Sequence, residues 1–116
     1  GTYTVRAKEE EEAAKLKKDA LMLEKIGCFA LVLEKVPAKL AKEVADSLTI
    51  PVIGIGAGNG VDGQVLVTHD MVGMTHEFNP RFLRRYMNLY EEMTNAIEQY
   101  CKDVKSVDFP NNEEQY

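Results

Sequence analysis

The chain has 116 residues, of which 45% are hydrophobic and 28% charged, and its formal net charge is −5 at pH 7. This length and composition suit one small globular domain. The acidic balance argues against a nucleic-acid or anionic-membrane surface, since either normally needs a basic patch, and no apolar run approaches the roughly 20 residues that a membrane-spanning helix needs.

Two cysteines and two histidines leave no zinc-site spacing. We expect Cys28 and Cys101 to be reduced, partly buried thiols of a cytoplasmic protein, because no signal-peptide pattern opens the chain. The start at Gly1, without a methionine, is expected to be an internal one.

The first half of the chain reads as a helix followed by a β-α-β unit. Helical spacing of apolar residues runs over 8–26 and ends at Gly27. Two short apolar runs, 28–33 and 51–55, flank an amphipathic helix over 37–48. Because neither run alternates with polar residues, we expect two parallel strands buried on both faces.

In parallel α/β proteins, catalytic and ligand-binding residues cluster where the strands end. Glu34 follows the first strand, and glycines at 54, 56 and 58 follow the second, so we expect these two features to lie side by side. The glycines fail the dinucleotide fingerprint, because Asn59 and Val61 stand where glycine is required. Close backbone approach to a ligand and tight packing in left-handed turns both remain open for this turn.

The second half begins with a short apolar strand over 65–67, followed by His69 and Asp70. Neighbours in an extended chain point opposite ways, which favours local hydrogen bonds over a catalytic pair. Asn79 and Pro80 predict the start of a helix over 80–105, whose aromatic and methionine stripe is typical of a core or a subunit interface. A polar tail over 106–116 is either frayed or docked by its aromatic residues.

Three motifs together resemble the ketopantoate hydroxymethyltransferase family. They are VLEKVP at 32–37, IPVIGIGAGN at 50–59 and DGQVLVTHD at 62–70, and Phe109-Pro110 near the end also fits. The resemblance implies the α/β fold of a (β/α)8 barrel of the phosphoenolpyruvate/pyruvate type. It also implies that this chain is the C-terminal part of the barrel, with about three parallel strands and flanking helices.

The resemblance further implies hydroxymethyl transfer from methylene-tetrahydrofolate to α-ketoisovalerate, which gives ketopantoate for pantothenate synthesis. Glu34 matches the catalytic base, and desolvation at an apolar strand end would strengthen it. Ile55 and Val67 would line the pocket against the isopropyl group, and Gly56 and Gly58 would let the backbone approach the substrate. The family's Mg²⁺ would take its ligands from outside this chain, and the family forms homo-oligomers.

Three functions therefore compete. The first is the base-carrying portion of the enzyme, inactive until the rest of the barrel is present. The second is a non-catalytic fragment or assembly module, because three strands cannot close a barrel of eight. The third is a phosphate-binding barrel segment that uses the turn at 54–60.

Overall fold

The computed structural model describes residues 9–116, which form an α/β arrangement. The elements are α1 (Glu10–Lys25), β1 (Leu31–Glu34), α2 (Ala38–Ser47), β2 (Val52–Ile55), β3 (Gly63–Gln64), α3 (Thr68–Met71) and α4 (Leu89–Lys105). The three strands form one parallel sheet in the order β1-β2-β3. Residue 8, where the sequence predicts that the first helix starts, lies outside the described residues.

The chain divides into two compact units, whereas the sequence predicts a single domain over 1–116. The first unit comprises the described residues up to Val67 together with Pro80–Leu83. The second comprises Thr68–Asn79 and Arg84–Tyr116. The sheet, α1 and α2 all belong to the first unit.

The core of the first unit lies on one face of the sheet. Alternate strand residues point to one side, and on that side Leu33 and Val52 pack with α1 and α2. The buried cluster consists of Ala20, Leu33, Val36, Leu40, Ala41, Val44, Val52 and Ala57. Val32 points to the opposite face and is 64% exposed. The prediction that both faces of the first strand are buried is therefore wrong, because the two packing helices supply apolar side chains to one face only.

The end of α1 is tied to the segment that leads into β2. Gly27, with a φ of +106°, ends the helix as predicted. The Glu24 carboxylate accepts hydrogen bonds from the backbone N–H groups of Thr49 (2.6 Å) and Ile50 (3.1 Å), and from the Thr49 hydroxyl (3.1 Å). These backbone donors hold the pKa of Glu24 below its ordinary value, because they stabilise the charged form.

The loop between β2 and β3 is closed at its base by one residue pair. The Asp62 carboxylate accepts from the Val52 N–H at 2.8 Å, and the Asp62 N–H donates to the Val52 carbonyl at 2.9 Å. The third strand pairs at Gly63–Gln64 rather than at the predicted 65–67. Val65 still donates its N–H to the Gly54 carbonyl, so the apolar run marks where the strand leaves the sheet.

The last helix, α4, starts at Leu89 and not at residue 80. Asn79 does not cap a helix, because its side-chain oxygen accepts from the Arg85 guanidinium at 2.5 Å. Arg85 also donates to the carbonyls of Thr75 (2.8 Å) and Phe78 (2.6 Å). These bonds satisfy backbone carbonyl groups in the non-helical segment that precedes α4. The local capping pattern does not reveal this arginine as their donor.

The apolar stripe of α4 is present but exposed. No residue of this helix is buried, and Ile97 and Tyr100 are more than half exposed. Phe109 of the tail packs edge-on against Tyr100, with ring centroids 5.6 Å apart, whereas Tyr116 is fully exposed. The tail is therefore docked by one of its two predicted aromatic residues. Across residues 9–116 we find no helix with the length and apolar character needed to cross a bilayer.

Candidate functional site

The candidate site begins at the carboxyl ends of β1 and β2. Parallel pairing places Glu34 opposite Ile55, and it places Val32 opposite Ile53 on the same face. Glu34 and Ile55 therefore lie side by side, as the sequence predicts. Glu34 is exposed and Ile55 is half-buried. In the described part of the chain, the Glu34 side chain is therefore open to water and not desolvated as expected.

Lys35 is a site residue that the sequence does not single out. It follows β1 directly, and its N–H donates to the Ile55 carbonyl at 3.0 Å. Its backbone is left-handed, with a φ of 54°, and only 8% of the residue is exposed. Its ammonium nitrogen lies 5.6 Å from the centre of the Phe82 ring. A lysine in the connection between a strand and a helix is ordinarily solvated, so the sequence carries no signal of this burial.

The glycines after β2 need both their small size and their backbone freedom. Gly56 and Gly58 have φ values of +66° and +77°. A Cβ at Gly56 would lie 3.0 Å from the Phe82 ring, and one at Gly58 would overlap the Ala38 side chain. Tight packing in left-handed turns, one of the two open interpretations, therefore describes this turn.

The same turn also borders a concave surface. A cavity of about 540 Å³ is lined by residues 35–38, by Gly56 and Gly58, and by residues 80–82. All of these residues belong to the first unit. Close backbone approach to a ligand, the other interpretation, thus has a space in which it can occur.

The remaining predicted site features follow the third strand along the chain. Val67 lies beyond the pairing of β3 and is 46% exposed. His69 and Asp70 fall in the short helix α3, where the Asp70 carboxylate accepts from the Thr75 hydroxyl at 3.2 Å and the His69 carbonyl accepts from the Met74 N–H at 2.9 Å. These local bonds agree with the structural interpretation of the pair.

The described residues do not fit a metal centre. Between residues 9 and 116 no three histidine, cysteine, aspartate or glutamate side chains converge on a point where an ion would bind. Glu34 alone, exposed at a strand end, supplies one carboxylate where Mg²⁺ needs several oxygen ligands. No chemical step is therefore assigned to a metal in this chain.

The fold and the site define a general class. Parallel strands, a crossover helix and a carboxylate at the carboxyl edge characterise α/β proteins that bind ligands at that edge. The sequence profile of the ketopantoate hydroxymethyltransferase family matches residues 1–112. The chain belongs to this family.

Three curated relatives are called 3-methyl-2-oxobutanoate hydroxymethyltransferase. Those of Christiangramia forsetii, Flavobacterium johnsoniae and Parabacteroides distasonis are 77%, 75% and 71% identical to the whole chain, respectively. The chain spans only 43%, 43% and 42% of their lengths. These matches identify the family and give the share of each relative's length that this chain covers. They do not support the narrower prediction that the chain is the C-terminal portion of the barrel, and we do not retain that placement.

Proposed function

We propose that this chain contributes a general base, Glu34, to the transfer of a hydroxymethyl group onto a 2-oxo acid. The observation that carries the proposal is the position of Glu34 at the carboxyl end of β1, beside Ile55, in a chain of this family. A carboxylate at such an edge is solvent-accessible to a small substrate and is held on a rigid strand. The three parallel strands would then be part of a (β/α)8 barrel.

The proposed chemistry is proton abstraction followed by carbon–carbon bond formation. The Glu34 carboxylate takes the proton from the carbon next to the ketone of α-ketoisovalerate, and the electron pair is delocalised as an enolate. The enolate carbon then bonds to the one-carbon unit of methylene-tetrahydrofolate, one carbon–nitrogen bond of the donor breaks, and the released nitrogen takes the proton from Glu34. Water replaces the remaining carbon–nitrogen bond, which gives the hydroxymethyl group and leaves tetrahydrofolate.

The neighbouring residues would shape the pocket. Ile55, half-buried beside Glu34, presents an apolar surface suited to the isopropyl group of the substrate. Val67 would add to this surface, and the turn at Gly56 and Gly58 would admit the substrate close to the backbone. Magnesium, a cytoplasmic location and a homo-oligomeric state belong to the same proposal through the family resemblance, and the ligands of the metal would lie outside this chain.

Deuterium exchange at the acidic carbon of α-ketoisovalerate, followed by NMR, tests the role of Glu34. The chain spans less than half of its relatives, so exchange is measured in two proteins. One is this chain with Mg²⁺, and the other is the Christiangramia forsetii relative with its matching segment replaced by this chain. We expect exchange in the chimera and little in the chain alone.

The matched variants are Glu34→Gln and Glu98→Gln in the chimera. Loss of a positioned general base lowers rates by about 100-fold or more, so Glu34→Gln should slow exchange by this factor. Glu98 is exposed on α4, and its substitution should leave the rate unchanged. A Glu34→Gln chimera that folds and exchanges at the parental rate would remove Glu34 from the proposed mechanism.

A second candidate function is that of an assembly module without activity of its own. The exposed apolar residues of α4 favour it, and so, separately, does the exposed Val32, because exposed apolar surface often marks an interface. Light scattering over a range of concentrations shows whether the chain is a monomer or associates with itself. A mass that stays at that of one chain at every concentration would contradict self-association.

A further inference from the structure

A side chain of β3 anchors the glycine-rich turn that follows β2. The Gln64 side-chain amide donates a hydrogen bond to the Gly58 carbonyl at 2.7 Å. Gln64 itself pairs with Gly54 in the parallel sheet. A Cβ at Gly54 would lie 3.0 Å from a Val61 methyl group and 3.7 Å from the Gln64 Nε2 atom. A side chain at position 54 would therefore crowd the space beside this amide.

The same turn also lies against α2 through close van der Waals contacts. A Cβ at Gly58 would overlap the Ala38 side chain, and a Cβ at Gly60 would lie 2.9 Å from the Lys42 Cβ. These contacts fix how near the turn lies to the helix. Contact between apolar atoms is not directional, however, so it does not by itself select the direction in which a peptide group points.

The hydrogen bond from Gln64 selects the direction of the peptide group between Gly58 and Asn59. Glycine accepts a wide range of backbone angles, so Gly58 alone imposes little preference on this peptide. The C=O and N–H of a trans peptide point in opposite directions. With the carbonyl held by Gln64, the Asn59 N–H is directed away from this side chain, and no backbone carbonyl between residues 9 and 116 accepts it. The anchor therefore sets where one backbone donor of the turn points.

We propose that Gln64 is a positioning residue for the transfer reaction, because it holds the peptide between Gly58 and Asn59 in the orientation that the substrate meets. This role rests on the proposed function, in which the keto acid approaches the turn at Gly56 and Gly58. Gln64 acts through the backbone and touches no reacting atom. A wall that is held in place before binding loses less conformational entropy when the substrate arrives. Loss of the anchor should therefore weaken substrate binding and leave the proton transfer itself unchanged.

The test uses the chimera and measures the Kd of α-ketoisovalerate by calorimetry, together with kcat and KM for deuterium exchange. Gln64→Met keeps the length of the side chain and removes the donor. A net hydrogen-bond contribution corresponds to about fivefold in affinity, so Gln64→Met should raise Kd and KM by about fivefold and leave kcat within about twofold. Glu34→Gln should instead lower kcat. The matched control is Gln99→Met, which removes a similar exposed bond, from the Gln99 amide to Asp103 at 2.8 Å, and should change none of these values.

A second measurement follows the turn in the isotopically labelled chain, without turnover. Gln64→Met should shift or broaden the backbone amide signals of Gly58 and Asn59, and Gln99→Met should leave them unchanged. Unchanged signals in Gln64→Met, a Kd equal to that of the parent chimera, or a lower kcat at an unchanged KM would each overturn the role of Gln64. A Glu34→Gln chimera that exchanges at the parental rate, while Gln64→Met still raises Kd, would remove the base and leave the anchor. A chimera that binds no α-ketoisovalerate would contradict the proposed function and this role with it.

Discussion

Gly58 is the position where a single added methyl group should be most damaging to the loop after β2. Its φ is +77°, and an added Cβ would overlap the Ala38 side chain and lie 3.0 Å from the Ala38 Cα. A left-handed backbone costs alanine about 1–2 kcal/mol. Overpacking adds about 1–3 kcal/mol. Gly58→Ala should therefore lower the free energy of unfolding by about 2–5 kcal/mol.

Two further variants separate backbone strain from overlap. Gly27 has a φ of +106° and no heavy atom within 4 Å of a built Cβ, so Gly27→Ala measures strain without a clash. Ala38→Gly removes the side chain that the new methyl group meets. By itself it should cost up to about 1 kcal/mol as a helix-propensity effect.

The assay is urea unfolding followed by circular dichroism, applied as a double-mutant cycle. Gly58→Ala and Ala38→Gly should couple by about 1–3 kcal/mol, because the second substitution relieves the overlap created by the first. Gly27→Ala and Ala38→Gly should be additive. A coupling below about 0.5 kcal/mol at position 58 would refute the packing argument for this glycine.

Three other predictions follow from the described contacts. Val44 is fully buried, so Val44→Ala should lower the free energy of unfolding by about 2–3 kcal/mol in the same urea assay, through lost burial and a cavity. Because the pKa of Glu24 is lowered from its ordinary value of 4.5, its charged form adds stability at pH values above 4.5, and this stability is lost as the pH falls below 4.5 and through the lowered pKa. Glu24→Gln should therefore lower the urea midpoint at about pH 7, by a margin that shrinks once the pH falls below about 4.5. A margin independent of pH would contradict this assignment. Cys101 is exposed and Cys28 half-buried, so a thiol reagent monitored by mass spectrometry should label Cys101 first, and the reverse order would show that the helix face is covered in solution.

The elements that local pattern determines were predictable. The unbroken apolar runs around a helix with buried Leu40 and Val44 predicted the parallel β-α-β unit. Gly27 predicted the end of α1, because a left-handed residue there suits glycine. These features depend on residues close in sequence, so their signal is carried by spacing and turn chemistry.

The features that depend on distant partners were not predictable. Asn79 and Pro80 form a good helix-start pattern, yet the Arg85 guanidinium takes the Asn79 oxygen and the helix starts nine residues later, at Leu89. Lys35 is buried and its ammonium nitrogen lies 5.6 Å from the ring of Phe82, a residue far along the chain, and no local pattern indicates this contact. The position of Glu34 followed from strand order, but its exposure depends on which elements cover the second face of the sheet.

The Asp62–Val52 pair has a consequence for how the glycine-rich loop meets a ligand. A flexible loop that becomes ordered on binding loses conformational entropy at that moment, and affinity falls accordingly. Here the reciprocal bonds at 2.8 and 2.9 Å fix both ends of the loop in the folded protein. The base of this loop is thus closed before any ligand arrives. Under the proposed function, a substrate that approaches this turn therefore meets a loop whose ends are already fixed. Asp62→Ala, which removes the side-chain acceptor of the Val52 N–H, should weaken substrate binding without changing an atom that the substrate contacts.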